Sequence, residues 1–514
     1  MNPAYTAILV LLVLYGLSIA IGVFYSMTGF VQSDTCWLVK LGLLMLQSHA
    51  ILQADPFSFT IPLSAQNGVV QPFVLYQWLS EVFLAEVFRL FNLPGLLSIS
   101  AIVTAISTVA LLFRLCLRKS GHLLFSALLA ALAAATVALR LMVRPEMFSV
   151  LLIVVWLYLW EHFKNKNQSG LNVMSLGLFM ATMVLWCNLH TGFVVGLIFL
   201  MIQSISYLAS AVFQRQAFLP LGRNTAIALV ASTLSTLANP AGLSLWTYLP
   251  RLFFSPMNSG ISETQAMSGR ELSLPIYYPF FALVVLSTYF AAKAIKRKTE
   301  LTSAVQQFLR ADRAASIATI AVAVLCALCC KRLASPMALL LAYETASLLS
   351  GIPELPRELT FLQRRASVFM LEIPVAVFAT VAVLLSCDKV APLTMPQVSL
   401  KFSPPFRAAQ FLIENWSGGN IFNNAQIGSM LDMYGKPDMK VFIDTRLDAF
   451  GDRILTDYAE MIDVRSRAKS LFDSYDIKWA IVTPQDRVSE VLKIAPGWSK
   501  VFEDQDGLVF KRTP

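Results

Sequence analysis

The sequence predicts a polytopic α-helical membrane protein, with a small extracytoplasmic α/β domain at its C-terminal end. Three observations predict it. First, 56% of the 514 residues are hydrophobic and only 14% are charged, against about 25% charge in an ordinary soluble chain. Second, the apolar residues fall in long unbroken runs, which suit helices; barrel strands would alternate. Third, the composition changes after about residue 390, where charged residues and short strand patterns replace the apolar runs.

Spans are expected at 5–26, 94–114, 122–142, 146–161, 172–189, 192–213, 224–241, 275–293, 314–330, 336–351 and 367–387, about eleven crossings of ~30 Å of hydrocarbon. The runs 146–161 and 336–351 are short, which suits tilted or re-entrant segments. The first run stays uncleaved as a signal anchor. Trp78 to Leu90 carries Glu81, Glu86 and Arg89 among apolar residues and reads as an interfacial helix within a first outer loop, 27–93. With the N-terminus in the cytoplasm, inner loops hold about twice as many basic residues as outer ones, as the positive-inside rule requires. The net charge of +9 is thus an orientation signal, and no nucleic-acid partner is expected. The cysteines lie in or beside spans, and none follows Cys387, which excludes a disulfide framework in the outer domain. Cys326-Ala-Leu-Cys329-Cys330 reads as helix packing, since zinc knuckles are polar and use two such pairs. No metal-ligand set is read.

Residues 391–514 form the second domain, after a membrane domain of residues 1–390. Pro405 to Trp416 has helical periodicity, and Lys440 to Asp444 a buried-strand pattern. Ile454 to Ser474 reads as helix and Lys478 to Thr483 as strand. Asp504-Gln505-Asp506-Gly507 joins two more strands in a hairpin. Asp444-Thr-Arg446-Leu-Asp448 follows a strand, where ligand-binding side chains often sit; a charged turn explains it equally well.

Polar residues gather on one expected face. Asp34, Asp55, Glu81, Arg144, Glu146, His190, Asn239, Glu263, Lys331 and Arg332 all fall at outer span ends or in outer loops. The inner side holds basic loops and few carboxylates beside span ends. A carboxylate just past a span is costly unless it lines a wet cavity or does chemistry, and Asp34 is the first of these. Carboxylates and cations together suit a charged lipid reacting with a polar acceptor. Arginine neutralises a phosphate leaving group, and a carboxylate takes the proton of an acceptor hydroxyl. Each motif also has a plain reading: a helix cap at Asp34, turns at Asp55-Pro56 and Asn239-Pro240-Ala-Gly242, a snorkelling cation at Arg144, a capped interfacial ring at His190, and anchoring at Lys331-Arg332.

Taken in order, Asp34-Thr-Cys-Trp37, Asp55-Pro-Phe-Ser-Phe-Thr60, Trp78-Leu-Ser-Glu81, Arg144-Pro145, Trp186-Cys-Asn188-Leu-His190-Thr-Gly192, Asn239-Pro240-x-Gly242, Val441-Phe-Ile-Asp444-Thr-Arg446 and Asp448-x-x-Gly451 resemble the GT-C superfamily of polytopic glycosyltransferases. The closer likeness is to a bacterial group within it that carries a C-terminal outer α/β domain. The resemblance implies an inverting membrane enzyme that moves a sugar from a polyprenyl-phosphate donor to an envelope glycan, lipid or protein, on the outer face of a bacterial inner membrane. It maps catalysis onto Asp34 and Asp55. It maps substrate binding onto Glu81, Arg144, His190, Glu263, Lys331 and Arg332. A divalent metal is compatible with the resemblance, although Asp34 stands without a neighbouring carboxylate in the sequence, which argues against one held tightly. The acidic doublet of many such loops is absent, and Glu263-Thr264 stands where the group has Glu-Trp. Two rival readings are a transporter or flippase, which predicts mid-membrane charges and internal repeats, and a non-catalytic scaffold for envelope assembly.

Overall fold

A computed structural model describes residues 33–62, 73–138, 140, 142–168, 170–213, 219–254, 262–296, 304–350 and 405–513. The expected spans 5–26 and 367–387 lie outside these residues. The chain divides into two compact units. The first contains residues 97–242 and 261–388; the second contains 29–96, 243–260 and 389–514.

The first unit is helical. Among the described residues, five helices are long and apolar enough to cross a membrane: Gly95–Ser120, Glu146–Lys166, Phe193–Val212, Pro275–Lys296 and Ala311–Cys329. Counting the bent pair Leu219–Ala238 and Leu243–Pro250 as one span gives six. Leu123–Ala138 and Val173–Leu189 are apolar but shorter. Eleven crossings are therefore not seen, but an integral membrane protein is. Leu178, Leu185, Ile205, Val230, Leu234 and Val285 stand exposed, as lipid-facing side chains do.

The expected short span near 336–351 is the helix Ala334–Leu349. Almost all its residues are buried, from Ala334 to Leu349, and it packs on Leu123–Ala138, Tyr278–Lys296 and Ala304–Cys329. A helix surrounded by helices need not match the lipid thickness. Trp156, Trp160, Trp186, Phe163, Phe179 and Tyr207 fill a second buried region. The end of Glu146–Lys166 that holds Lys164 carries ion pairs. Lys164 meets Asp312 at 2.9 Å, Lys119 meets Glu161 at 3.0 Å, and Tyr207 donates to Asp312 at 2.6 Å. Glu161 and Asp312, both half-buried, supply the partners that the charges of Lys119 and Lys164 need.

The second unit is a layered α/β structure. Its sheet runs β1 (Asn420–Asn423), β2 (Ile477–Val482), β4 (Leu508–Arg512), β3 (Trp498–Glu503) in spatial order. β1 is parallel to β2, and the other pairs are antiparallel. The expected hairpin closes where Asp504 N–H donates to Gly507 O at 3.0 Å. Alternate strand residues enter different cores, as a period of two requires. Phe422, Ala480, Val482, Leu508 and Phe510 pack under Leu447–Ile462, Ala468–Ser474 and Arg487–Ile494. Ile421, Trp479, Ile481 and Val509 pack under Phe406–Asn415 and Ala425–Tyr434.

Two expectations are corrected here. Ile454 to Ser474 is two helices, parted by a turn in which Val464 takes φ 57. Lys440 to Asp444 is not a regular strand; Val441 makes only isolated parallel bridges, to Ile421 and to Ser58. The reason is the Asn423 side chain, whose amide takes the ladder's place: Phe442 N–H donates to its Oδ1 at 2.9 Å, and its Nδ2 donates to Ile443 O at 2.6 Å. Within residues 27–93, two long described stretches are helical. Ser33–Ser48 is a helix, and Trp78–Ala105 is a helix broken at Asn92, where φ is 53. That break separates the expected interfacial stretch from the following span. Gly42 lets the two helices touch, since a Cβ there would meet Glu81 O at 2.1 Å.

Candidate functional site

Two polar clusters carry the candidate residues, one in each unit. In the second unit, Asp34 sits half-buried in the first turn of Ser33–Ser48, where exposed helix N–H groups favour an acid. One turn on, Trp37 donates its indole N–H to Thr445 Oγ1 at 3.1 Å. Thr445 is also bonded to Ser429, on Ala425–Tyr434, at 2.8 Å, and Lys40 donates to Met433 O at 3.4 Å. The helix that bears Asp34 is thus seated on the C-terminal segment. Asp448 is half-buried beside it, and desolvation together with the charge of Asp34 pushes its carboxyl up to about 6. The acidic companion that the sequence around Asp34 lacks comes from more than 400 residues away.

Asp55 has a different setting. Its Oδ2 accepts from Ser58 N–H at 2.8 Å and from the Ser58 hydroxyl at 2.6 Å. Its Oδ1 faces Arg446 Nη1 at 2.7 Å, as an ion pair rather than an aligned hydrogen bond. Arg446 also grips Asp444, with Nε at 3.0 Å from Oδ1 and Nη2 at 2.5 Å from Oδ2. Its guanidinium lies 4.9 Å from the Phe57 ring centroid and 6.0 Å from that of Trp37. Phe57 O accepts from Val441 N–H at 3.1 Å, and Phe59 N–H donates to Val441 O at 3.2 Å. Arg446 is therefore the knot between residues 37–59 and the turn at 444–448.

Two further carboxyls lie near this knot. Glu81 is 1% exposed. Burial pushes it up to about 8, although Gln77 and the charge of Arg446 pull the other way. Both oxygens of Asp432 are buried without a hydrogen-bond partner; burial, then the charge of Asp444, raise it well above the carboxylate range. In both, burial disfavours the charged form.

The second cluster, in the first unit, gathers around Arg140. Its Nε is 3.1 Å from Glu146 Oε1, and its Nη1 donates to Glu263 Oε2 at 2.7 Å. Arg144 Nη1 stands 3.8 Å from Glu263 Oε1. Burial pushes Glu263 up, but the charges of Arg140 and Arg332 outweigh it and hold the group below its usual value. His190 shares this field: burial lowers it to about 4, Glu146 opposes, and Arg332 and Arg140 reinforce. Three arginines against two glutamates leave a net positive charge. Lys331 is apart from this group; it pairs with Glu271 at 2.6 Å, both side chains being buried.

Of the candidate residues, the structure brings Arg144, His190, Glu263 and Arg332 together in one unit, and Asp34, Asp55 and Glu81 into the neighbourhood of residues 432–448 in the other. Arg140 is not among the residues the sequence points to, although its six-residue spacing from Glu146 across the Arg144-Pro145 turn is a usable signal. In sequence, Arg446 reads only as part of a charged turn. Among the described residues, no group of three or more His, Cys, Asp or Glu could hold a metal ion.

No family model and no curated protein matches the chain. A solved structure does: that of an oligosaccharyltransferase from Archaeoglobus fulgidus in complex with zinc and sulfate. It aligns with a TM-score of 0.51 at 11% identity, over 91% of this chain and 68% of the other. At that identity the likeness shows the fold alone, that of the archaeal oligosaccharyltransferase.

Proposed function

From this fold and the two clusters, we propose that the protein is a membrane glycosyltransferase using a polyprenyl-phosphate sugar. The observation that carries the reading is the cationic cluster, in which Arg140 is neutralised by Glu146 and Glu263 while Arg144, Arg332 and His190 surround them. An arginine already held by two carboxylates is a rigid scaffold. Arg332 and Arg144 then supply the charge for a phosphate. Lys331 is assigned to its pair with Glu271, not to the lipid.

In this reading Asp34 takes the proton of the acceptor hydroxyl while its oxygen attacks the anomeric carbon. The bond from that carbon to the phosphate oxygen breaks, and the polyprenyl phosphate leaves as an anion. The anomeric configuration inverts. Asp448, beside Asp34, helps to hold the acceptor. Asp55 and Glu81 are positioning groups, since the oxygens of Asp55 are engaged and Glu81 is buried. Residues 1–390 form the membrane domain, with the N-terminus in the cytoplasm of a bacterium. Residues 391–514 lie outside the inner membrane and face an envelope glycan, lipid or protein.

Mass spectrometry of lipid co-purifying with the detergent-extracted protein tests the reading. Polyprenyl phosphate or its glycosylated form is expected, and Arg332→Met should release it. A preparation that retains only bulk phospholipid, and binds no added polyprenyl phosphate, would exclude this donor class.

A further inference from the structure

His190 is held more closely than a phosphate contact at a helix end requires. Its Nδ1 accepts the backbone N–H of Gly192 at 3.0 Å and lies 2.7 Å from the Ser149 hydroxyl. That hydroxyl accepts the Trp186 indole N–H at 2.8 Å, so its own proton is left for the ring. A backbone N–H can only donate. Nδ1 is therefore the unprotonated nitrogen, and a neutral imidazole must carry its proton on Nε2. Geometry alone excludes the doubly protonated ring, which would set two donors against each other at Nδ1.

The surroundings are built to keep this arrangement. A Cβ on Gly192 would meet Ser149 Oγ at 2.2 Å and His190 Nδ1 at 2.9 Å, so only glycine leaves room for both bonds. Trp186 is fully buried and packs edge-on against Trp156, centroids 5.9 Å apart, while Trp156 donates to Gly196 O at 3.1 Å. His190 N–H itself caps the preceding helix, donating to Trp186 O at 2.9 Å. The order Trp186, His190, Gly192, with Ser149 on the neighbouring helix, is accounted for by one device. The charged groups acting on the ring are Glu146, from the helix that bears Ser149, and Arg332 and Arg140 from the other elements.

We infer that Ser149, Trp186 and Gly192 are positioning residues that lock His190 with its proton on Nε2, making the ring an uncharged N–H donor to a phosphate oxygen. The inference rests on the proposed function for the phosphate's source, but not for the lock itself. An uncharged donor suits a leaving group that must depart. It stabilises the anion by a hydrogen bond without adding another full charge beside Arg332 and Arg144, and it donates no proton of its own near neutral pH. No covalent step is assigned to it.

Long-range ¹H–¹⁵N correlation on histidine-labelled protein in nanodiscs reads the tautomer directly. At pH 7 the His190 ring should show the pattern of a proton on Nε2, and Ser149→Ala should mix the tautomers. Added polyprenyl phosphate should move the Nε2 resonance, whereas inorganic phosphate at the same concentration should not. His190→Gln keeps an N–H near the Nε2 position and should bind polyprenyl phosphate about three- to tenfold more tightly than His190→Asn, the worth of one hydrogen bond. A proton on Nδ1, a doubly protonated ring at pH 7, or equal affinity in the two variants would overturn the lock. An Nε2 shift with inorganic phosphate alone would overturn the lipid as its source. The tautomer reading needs no turnover, so it stands even if sugar transfer is never detected.

Discussion

Replacing Arg446 with methionine removes the knot of the second unit while nearly keeping its volume. The side chain is 6% exposed, its partners Asp444 and Asp55 are 0% and 1% exposed, and both are held within 2.7 Å. Without the guanidinium, two carboxylates are left buried with no cation between them. Breaking a buried pair from one side costs about 3–5 kcal/mol, and the cation lost from the faces of Phe57 and Trp37 adds about 0.5–2 kcal/mol. A loss of about 4 kcal/mol is therefore a conservative expectation. Within a unit of this size it lowers the melting temperature by roughly 8–16 °C. The assay is thermal unfolding of the detergent-solubilised protein, followed by tryptophan fluorescence, to which Trp37 contributes. The decisive comparison is the triple variant Arg446→Met, Asp444→Asn, Asp55→Asn. With the charges gone together, no ion is left stranded, and the triple variant should be more stable than the single one. A single variant within about 1 kcal/mol of the natural protein, or a triple variant as unstable as the single one, would refute the reasoning.

Two further outcomes follow. Glu81 is raised to about 8 when folded, against an ordinary carboxyl near 4.5. The unfolded chain therefore binds fewer protons between these values, and stability falls as pH rises through that window. Glu81→Gln should flatten the melting curve's dependence on pH between about 5 and 9 and stabilise the protein at the alkaline end by a few kcal/mol; an unchanged profile would contradict the burial argument. Lys331 and Arg332 should separate. Lys331→Met leaves Glu271 without its cation and should lower the melting temperature with polyprenyl-phosphate binding intact, whereas Arg332→Met should weaken binding about tenfold or more with little change in melting. Equal behaviour of the two variants in binding and melting would remove the distinction.

Much of the membrane part is legible in sequence because lipid imposes one rule, an apolar run of sufficient length. The runs near 94–114, 192–213 and 314–330 are therefore helices close to where they are expected. The grouping of Arg144, His190, Glu263 and Arg332 is legible for a related reason: in a helical bundle, topology alone decides which ends meet. Ser33–Ser48 escapes that rule. It lies in the expected outer loop, and its role depends on Gly42 meeting Glu81 and on Trp37 meeting Thr445. Arg446 is harder still, because nothing around it in sequence names Asp55 as its partner. Asn423 defeats the strand pattern at 440–444 by a side-chain bond that no periodicity encodes. Contacts between distant segments, rather than local propensity, decide the second cluster.

In the proposed reaction, Asp34 takes the proton of the acceptor hydroxyl during sugar transfer. The most direct measurement is transfer of labelled sugar from a polyprenyl-phosphate donor to envelope acceptors by the natural protein and by Asp34→Asn, in proteoliposomes, with melting temperature and donor affinity recorded alongside. Asparagine keeps the shape but cannot take the proton. The rate should fall by about a hundredfold or more, with donor affinity and melting temperature nearly unchanged. Full activity in Asp34→Asn would contradict the claim.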